Sequence, residues 1–326
     1  MARRKKIKNN STLQIVLGII VFILIVVMGN NHDLDLLESL KETTELDSLE
    51  NVENVDNTTD EIISSVTGNL IIDYIDVGQG DSILIRQGDA TMLIDGGTSV
   101  CEEDLLAFLK AENVDKFEYI IGTHPHEDHI GSLDDVINTY EFDTFLFPKV
   151  TATTKTFENL VLAVKNRQKK FTTPVVGTEY SLGEAKFEIL APNGTKYTST
   201  NDYSIVIKLT YGENTFIFTG DAESLSEQEI LDNNFDVSAD VLKLGHHGST
   251  TSTSKKFLEA VNPKYAVISV GKDNSYKHPT KTTMNKLEDM NISVYRTDEQ
   301  GTIECISDGK NITFNVEPGT YNYMQQ

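Results

Sequence analysis

The stretch "THPHEDHIGS", Thr123 to Ser132, places three histidines and two acids within six positions, directly after the apolar run "YIIG". Its pattern is His124-x-His126-x-Asp128-His129. In an extended loop, residues two apart face the same side, so His124 and His126 can bind one metal ion. Asp128 and His129, at the entrance to the next predicted helix, can then reach a second ion. A lone H-x-H would favour a polar loop with a capping aspartate, whereas the full pattern favours a metal site.

The other histidines of the chain are grouped in the same way. Of seven histidines, six fall into three groups, which are the loop above, the pair His246 and His247, and His278. Only His32 lies elsewhere. Histidines scattered over a surface would not be expected to group like this or to follow strand ends.

Short apolar runs alternate with helical patterns from Leu70 onward. The runs "LIIDYIDV", "DSILIRQ" and "ATMLIDGG" predict three consecutive strands, and "CEEDLLAFLKAENV" predicts a helix with acids in its first turn. A second group of strands opens with "KFEIL", "YSIVIKLTY" and "TFIFTG", and helices follow again. Two rounds of strands followed by helices predict an α/β fold with two sheets, each covered on one face.

The N-terminal residues predict a membrane anchor. Residues 13–29, "LQIVLGIIVFILIVVMG", carry no charge and would form a helix of roughly 26 Å, near the lower limit for crossing a bilayer. Five bases in residues 1–12 precede this segment, which predicts a basic cytoplasmic tail and an extracytoplasmic body on a single-pass protein. The alternative is a cleaved signal peptide and a secreted protein. No A-x-A-like pattern follows the segment, which favours the uncleaved anchor.

Charge divides the rest of the chain into a linker and a body. Residues 30–66 carry eleven acids and one base and no aromatic residue, so we predict a flexible acidic linker. The body, residues 67–326, is acidic as well, and the whole chain has a formal charge of −22. Such a body is not expected to hold nucleic acid through a broad basic surface or in a stable complex. Metal ions can still supply local positive charge to a phosphodiester.

The two cysteines, Cys101 and Cys305, lie far apart in the sequence and form no CxxC pair. A single disulfide is compatible with this arrangement. Two unpaired structural thiols are at least as compatible, so both alternatives stay open.

Further motifs, taken with the histidine loop, resemble the signature of the metallo-β-lactamase superfamily. They are "IDVGQGDS" (Ile75–Ser82), "MLIDGG" (Met92–Gly97), "FTGD" (Phe218–Asp221) and "KLGHHGS" (Lys243–Ser249). Together with the late pair His278-Pro279, the set is most similar to the hydrolase domain of ComEC-type competence proteins. The resemblance extends over about residues 70–315, nearly the whole body.

The resemblance implies a four-layer αβ/βα sandwich with two divalent ions at one edge of the sheets. Imidazole and carboxylate ligands are consistent with Zn²⁺ or Mn²⁺. His124 and His126 would bind the first ion. Many family members add a third histidine before the bridging aspartate, but no histidine lies between His129 and His246 here. Asp202 could take this place, or the ion could be held with extra water.

The resemblance assigns the second ion to Asp128 and His129, which end the histidine motif. Asp221, at the end of its predicted strand, would bridge the two ions. His246 would complete the second site, and His247 is the less favoured substitute for it.

Several residues are candidates for positioning groups or contacting the substrate. Asp95 is interpreted as a carboxylate that orients a ligand histidine, with a turn residue as the alternative. Ser249 begins a stretch whose amides and hydroxyls can hold an anionic group, with an ordinary helix cap as the alternative. His278 can contact a phosphate or protonate a leaving group, with a surface His-Pro turn as an equal alternative. His247 is a further candidate for meeting substrate charge, and Asp128 for orienting the nucleophile.

These features predict a membrane-anchored, extracytoplasmic, metal-dependent hydrolase, and the resemblance favours a phosphodiesterase or nuclease acting on DNA. One alternative is an exported phosphoesterase acting on choline-phosphate or another cell-wall phosphodiester, which the acidic body suits at least as well. A second is an acyl hydrolase such as a lactamase or lactonase, which the missing third histidine disfavours. A third is a non-catalytic binding module that keeps the fold, which the near-complete ligand set disfavours.

Overall fold

The computed structural model describes residues 68–323. The predicted basic tail, membrane anchor and acidic linker lie outside these residues. Within the described part of the chain, no helix has both the length and the apolar character needed to cross a membrane.

Between residues 68 and 323, fifteen strands form two sheets. The first contains β1 (Leu70–Tyr74), β2 (Ile83–Gln87), β3 (Ala90–Ile94), β4 (Lys116–Ile121), β5 (Glu141–Leu146), β6 (Phe171–Thr172), β14 (Ile303–Ser307) and β15 (Ile312–Phe314). The second contains β7 (Glu179–Leu182), β8 (Ala185–Ala191), β9 (Val206–Tyr211), β10 (Asn214–Phe218), β11 (Val241–Lys243), β12 (Tyr265–Ile268) and β13 (Ser293–Arg296).

The strand orders are β15-β14-β1-β2-β3-β4-β5-β6 and β13-β12-β11-β10-β9-β8-β7. Strands β3 to β6 are parallel to one another, and so are β10 to β13. The remaining neighbours are antiparallel, including the hairpin β9–β10 and the final hairpin β14–β15. Each sheet is therefore antiparallel in one part and parallel in the other.

The helices of the described residues fall between the strands. They are α1 (Glu102–Ala111), α2 (Glu127–Ile130), α3 (Leu133–Thr139), α4 (Lys155–Asn166), α5 (Ser224–Asp232), α6 (Lys255–Val261), α7 (Lys281–Asp289) and α8 (Thr297–Gln300). Acids fill the first turn of α1, where the positive end of the helix dipole favours them. Short 3₁₀ turns cover Ser99–Cys101, Asn201–Tyr203 and Gly245–Gly248.

The strand side chains alternate between two environments, and this alternation produces four layers. Leu70, Ile72 and Tyr74 of β1 belong to a core between the two sheets, which includes Phe187 and Phe216 of the second sheet. Leu84 and Leu93 belong instead to a core shared with helices α1, α3 and α4. A third core joins the outer face of the second sheet to α5, α6 and α7. The expected four-layer αβ/βα sandwich is therefore confirmed.

The six apolar runs predicted as strands correspond to β1, β2, β3, β8, β9 and β10, whereas β5, β6, β7 and β13 were not predicted. These four strands are short or carry polar side chains on an accessible face, as in the exposed and half-exposed positions of "EYSL" in β7. Their sequences therefore lack the long apolar run that marks a central strand. Cys101 and Cys305 are both buried and unpaired, so of the two open alternatives the free thiols are correct.

A buried ion pair joins the two sheets close to the histidine loop. Asp81 precedes β2 and Lys243 ends β11, and Lys243 Nζ lies 2.9 Å from Asp81 Oδ2. The same ammonium donates to the carbonyl of Leu244 at 2.9 Å. Burial raises the pKa of the Asp81 carboxyl, but Lys243 and His247 outweigh it and hold the pKa at about 2. Asp81 is therefore ionised at neutral pH and depends on its partners for charge balance.

Replacing Lys243 with methionine should destabilise the fold by about 3–5 kcal/mol, because Asp81 would remain buried without its partner. The measurement is the free energy of unfolding from urea titrations followed by circular dichroism. The double variant Asp81→Asn/Lys243→Met removes both charges and should recover most of the loss. A Lys243→Met protein as stable as the wild type would contradict a role for this pair in joining the sheets.

Candidate metal centre

The candidate site lies where strand ends from both sheets meet. Asp95 follows β3, the histidine loop follows β4, Asp221 follows β10, and His246 and His247 follow β11. Strands β3 and β4 are a parallel pair, and so are β10 and β11. Carboxyl ends of parallel strands lie at one edge of a sheet, where α/β folds commonly place their sites. The topology therefore brings together groups that are distant in the sequence.

His124 and His126 present neighbouring ring nitrogens, as the H-x-H spacing predicts. His124 is fully buried, and its Nε2 lies 3.0 Å from His126 Nδ1. On the other side of the His124 ring, Nδ1 lies 3.1 Å from Thr123 Oγ1 and 3.3 Å from Ser204 Oγ. These hydroxyl contacts fix the ring so that Nε2 faces His126 and the centre of the site.

Asp95 lies against His129 and fixes its orientation. The Asp95 Oδ2 atom lies 2.7 Å from His129 Nδ1 and accepts a hydrogen bond from Thr123 Oγ1 at 2.7 Å. Its Oδ1 accepts from the Thr123 backbone N–H, also at 2.7 Å. Because Nδ1 of His129 is engaged by Asp95, its Nε2 remains for another partner. This is the arrangement in which a carboxylate orients a ligand histidine, the role interpreted for Asp95 from its motif.

Asp221 lies at the centre of the site, and its two carboxylate oxygens face different histidines. Oδ1 lies 3.2 Å from His129 Nε2 and 3.5 Å from His247 Nε2. Oδ2 lies 3.8 Å from His124 Nε2 and 3.7 Å from His246 Nε2. One oxygen on each side is the geometry that a bridging carboxylate needs.

The two histidines after β11 lie in positions opposite to those expected from the resemblance. His247 is fully buried and its Nε2 lies 3.4 Å from Asp128 Oδ2, on the side of the second ion. His246 instead lies beside the Asp221 oxygen that also faces His124. The geometry thus favours His247 for the second ion, and it gives His246 to the first.

The backbone explains why these histidines diverge. His246 and His247 both have left-handed φ values, of 52° and 54°, and their ring planes differ by 70°. Neither strand alternation nor helical spacing describes two consecutive left-handed residues, which are uncommon outside glycine. A simple repeat therefore does not predict which of the two rings reaches which ion.

Asp202 is not available as the substitute ligand expected for the first ion. Its Oδ1 accepts hydrogen bonds from the backbone N–H groups of Glu223 and Ser226, at 3.2 and 3.3 Å. These contacts cap the start of α5, which is a common use of aspartate. Both hydrogen bonds engage the Asp202 carboxylate with the backbone of residues 223–226, away from the histidines. His246 is the residue found beside Asp221 in its place.

Ser249 is likewise not placed to contact a substrate. Its hydroxyl lies 3.1 Å from Thr251 Oγ1 and accepts from the Thr251 backbone N–H at 3.3 Å. The residue is buried and does not line the cleft above the cluster. Ser254, further along the same stretch, caps α6 by accepting from the Phe257 N–H. The helix-cap alternative therefore describes this stretch better.

The cluster fits a divalent metal ion. Nε2 of His129, Nε2 of His247 and Oδ1 of Asp221 are buried and make no hydrogen bond. Such atoms are rare in proteins and often mark an ion. Ligand atoms of Asp128, His129 and His247 lie within 4.8 Å of one another, as do those of His124, His129 and Asp221. The chain would hold an ion on either side of Asp221 with these residues.

The electrostatics of the cluster favour positive charge. Burial lowers the pKa of His247, but the carboxylates of Asp221, Asp128 and Asp81 outweigh it and raise the pKa to about 10. Burial also lowers the pKa of His129, but the carboxylate of Asp221 outweighs burial and raises this pKa well above the usual range. A divalent ion supplies the positive charge that these histidines otherwise obtain from protons.

A cleft of about 540 Å³ opens above the cluster. Its lining includes His126, Asp128 and Asp221, together with Tyr276 and His278 from the loop between β12 and α7. The described residues that line this cleft include no lysine or arginine. Binding of an anion in the cleft would therefore depend on metal charge and on uncharged contacts.

His278 lies in the wall of this cleft and not on an open surface turn. It is mostly buried, and its ring centre lies 5.5 Å from that of His246. Burial, followed by the neighbouring charges of His246 and His247, lowers the pKa of His278 to about 4. The ring is therefore neutral at pH 7 and suits hydrogen bonding to a substrate oxygen better than pairing with its charge.

The sequence reasoning missed Asp81, Lys243 and Ser204. Asp81 Oδ1 lies 3.3 Å from His247 Nδ1, and Ser204 Oγ accepts from the Asp221 backbone N–H at 3.1 Å. In "DVGQGDS" the glycines draw attention first, and Gly80 is indeed required, because a Cβ there would lie 2.3 Å from the Asp128 carbonyl oxygen. The overlooked signal is a charged residue at the end of an apolar strand, where burial demands a partner.

Comparison with known proteins agrees with this fold and site. The sequence profile of the metallo-beta-lactamase superfamily matches residues 75–272, which contain the whole cluster. The fold and the buried His/Asp cluster define a metal-dependent hydrolase, and the chain belongs to the metallo-beta-lactamase superfamily.

Within that superfamily, similarity to competence proteins supports the ComEC-like branch. ComE operon protein 3 of Bacillus subtilis is 31% identical over 265 residues, which cover 76% of this chain and 34% of that protein. Recombination protein 2 of Haemophilus influenzae is 31% identical over 237 residues, covering 71% of this chain and 28% of that protein. The chain thus spans about a third of the length of the curated relatives it matches.

Solved structures show only remote similarity. The metallo-beta-lactamase fold protein YhfI from Bacillus subtilis has a TM-score of 0.47 at 15% identity, over 72% of this chain and 99% of that one. The family assignment rests on the sequence matches and not on this likeness.

Replacing Asp221 with alanine should abolish metal binding and lower hydrolysis by more than about 100-fold. Loss of a hydrogen-bond partner of a metal ligand already lowers metal affinity or activity about 10–100-fold. Asp221 itself faces four histidines, so its loss should have a larger effect. The measurement is metal content per chain by mass spectrometry, alongside circular dichroism to verify folding. Asp202→Asn is the matched control, because asparagine also caps helices and should leave metal content unchanged. Wild-type metal content in the Asp221→Ala protein would refute the bridging position.

Proposed function

We propose that this protein is a phosphodiesterase that cleaves single-stranded DNA with the help of two divalent ions. The observation that carries the proposal is the Asp221 carboxylate, whose two oxygens face separate pairs of histidines below an open cleft. Two ions held about one carboxylate suit the in-line displacement at a phosphorus centre. The similarity to competence proteins supports a nucleic-acid substrate.

The residues of the chain divide the chemistry between them. A bound divalent ion lowers the pKa of a water ligand to roughly 7 and polarises a phosphoryl oxygen. Asp221 keeps the two groups of histidines at a fixed separation, and Asp95 keeps Nε2 of His129 directed inward. Asp128 lines the cleft with a partly exposed carboxylate, which can accept a hydrogen bond from the nucleophile and so orient it. His278, neutral at pH 7, donates a hydrogen bond to a substrate oxygen.

A second candidate substrate is a choline-phosphate ester or a related cell-wall phosphodiester. The cleft combines the aromatic ring of Tyr276 with the carboxylate of Glu127, and it has no lysine or arginine among its described lining residues. Aromatic rings and carboxylates are the groups that bind quaternary ammonium ions. The same catalytic chemistry would apply to this substrate.

The first test is hydrolysis by the full-length chain purified in detergent. With Mn²⁺ or Zn²⁺, it should hydrolyse bis-p-nitrophenyl phosphate and a single-stranded oligonucleotide, and both activities should disappear with a chelator. Cleavage of the oligonucleotide should also fall as salt is added, since phosphate contacts are weakened by counterions. Hydrolysis of p-nitrophenylphosphorylcholine without oligonucleotide cleavage would favour the cell-wall substrate. Two bound ions with no phosphodiester cleaved would contradict the proposal.

We also propose that residues 13–29 anchor the protein in the membrane with its hydrolase domain outside the cytoplasm. The support is the uncharged apolar run and the five bases that precede it. On expression in a bacterial host, the full-length chain should resist alkaline extraction from membranes, and protease added to intact spheroplasts should digest the hydrolase domain. A variant lacking residues 1–66 is the control and should be soluble. Full-length protein found in the soluble cytoplasmic fraction would refute the anchor.

A further inference from the structure

Tyr276 is an exposed aromatic residue in the wall of the cleft. Its side chain is 63% exposed, whereas most large apolar side chains of the described chain are buried. It lies on the loop between β12 and α7, and it lines the same cleft as Asp128 and Asp221. Burial does not account for an aromatic ring in this position, whereas contact with a bound molecule would.

The loop that carries Tyr276 is fixed by a buried amide. The Asn274 side chain donates to the carbonyl oxygens of Gly271 and His278, at 2.9 and 2.6 Å, and accepts from the His278 N–H at 3.1 Å. Gln79 Oε1 accepts from the Gly271 N–H at 3.1 Å and attaches the loop to the opposite side of the cleft. Both ends of the loop are therefore held, and Tyr276 is presented without a large ordering cost on binding.

A series of rings leads from the cluster to Tyr276. The ring centres of His246 and His278 are 5.5 Å apart, and those of His278 and Tyr276 are 6.0 Å apart. The His278 and Tyr276 planes differ by only 25°, which is a stacked arrangement. A flat ring placed on the outer face of Tyr276 would extend this stack. A phosphate next to that ring could then lie over the cluster.

Charge cannot supply most of the affinity for a nucleic-acid strand at this cleft. The described lining residues of the cleft include no lysine or arginine, and the groove adjoining it at Gln79 and Thr98 is lined by four acids, Asp76, Asp104, Asp298 and Glu299, and by one base, Lys272. Proteins that bind single strands combine phosphate contacts with base stacking on aromatic side chains. When phosphate contacts are weak, base stacking has to contribute more of the affinity. Tyr276 lines this cleft and offers an aromatic ring for such stacking.

We propose that Tyr276 stacks on the nucleobase next to the scissile phosphate and thereby selects single-stranded nucleic acid as the substrate. This inference rests on the proposed phosphodiesterase function and names the contact that distinguishes a nucleotide from other phosphodiesters. Lys272 and Lys277 are exposed on the same loop, one on each side of Tyr276 in the sequence, and add two positive charges to it. Tyr276 is a binding residue in this scheme and does not take part in the chemical step.

The test compares two single-stranded oligonucleotides, one with normal bases and one in which the bases are replaced by abasic residues. Full-length Tyr276→Ala should cleave the normal oligonucleotide with kcat/KM lowered about 5- to 150-fold, the range that one base stack contributes. Its activity on the abasic oligonucleotide should stay within about twofold of the wild type, since no base is left to stack. Tyr276→Phe keeps the ring and should resemble the wild type. Tyr323→Ala removes an exposed tyrosine that does not line the cleft and serves as the matched control.

A direct measurement of stacking accompanies the kinetics. A phosphorothioate oligonucleotide carrying 2-aminopurine should lose fluorescence on binding the wild type and Tyr276→Phe, because the base stacks on the ring. It should keep its fluorescence with Tyr276→Ala. An oligonucleotide that is not quenched by the wild type overturns the inference, whether or not hydrolysis is observed.

The outcomes separate this inference from the proposed function. Equal losses on the normal and abasic oligonucleotides, with bis-p-nitrophenyl phosphate still hydrolysed, would overturn stacking by Tyr276 and leave the phosphodiesterase intact. Absence of all phosphodiester hydrolysis in the wild type would overturn the proposed function, and the quenching measurement would then decide the stacking by itself. Loss of p-nitrophenylphosphorylcholine hydrolysis in Tyr276→Ala, with no quenching by the wild type, would assign the ring to a choline group and overturn base stacking.

Discussion

The buried carboxylate of Asp221 is the constraint on which the rest of the site depends. It is almost fully buried and lies within 4 Å of four histidine nitrogens, two on each oxygen. A carboxylate in such a place must be balanced by positive charge, since removing a charge from water costs several kcal/mol. Asp81, Asp95 and Asp128 add three more carboxylates around the same rings. One buried lysine does not balance them all, and the arrangement is stable only with protons or metal cations among the histidines.

The architecture satisfies this constraint with groups from both sheets. The parallel strands β3 and β4 bring Asp95 and the histidine loop to one edge, while β10 and β11 bring Asp221 and the histidine pair. The Asp81–Lys243 ion pair crosses between the two sheets just below the cluster and contacts His247. Packing between the sheets and charge balance at their edge are therefore not independent. A change in the separation of the sheets would alter the distances across Asp221.

Much of this arrangement could be predicted from the sequence, and the exceptions have identifiable causes. The histidine loop and two sheets that are each covered on one face follow from spacing and apolar periodicity, which are local features. The four-layer sandwich and the bridging position of Asp221 were implied by the resemblance of short motifs to a known family. Which oxygen of Asp221 each of His246 and His247 faces depends on the left-handed backbone angles of these two residues, which no periodicity encodes. Asp202 could not be excluded as a ligand because its helix-capping contacts join distant parts of the chain. The membrane anchor and the linker lie outside the described residues and stay predictions.

The order of the strands along the chain has a consequence for the stage of synthesis at which the cluster can form. β14 pairs with β1, so the first sheet is completed only by residues near the end of the chain. The cluster itself takes groups from the ends of strands between β3 and β11. Synthesis proceeds from the N-terminus, and a growing chain that has already made the histidine loop still lacks Asp221 and its partners. A growing chain therefore cannot form the cluster before residues 221–247 have been made.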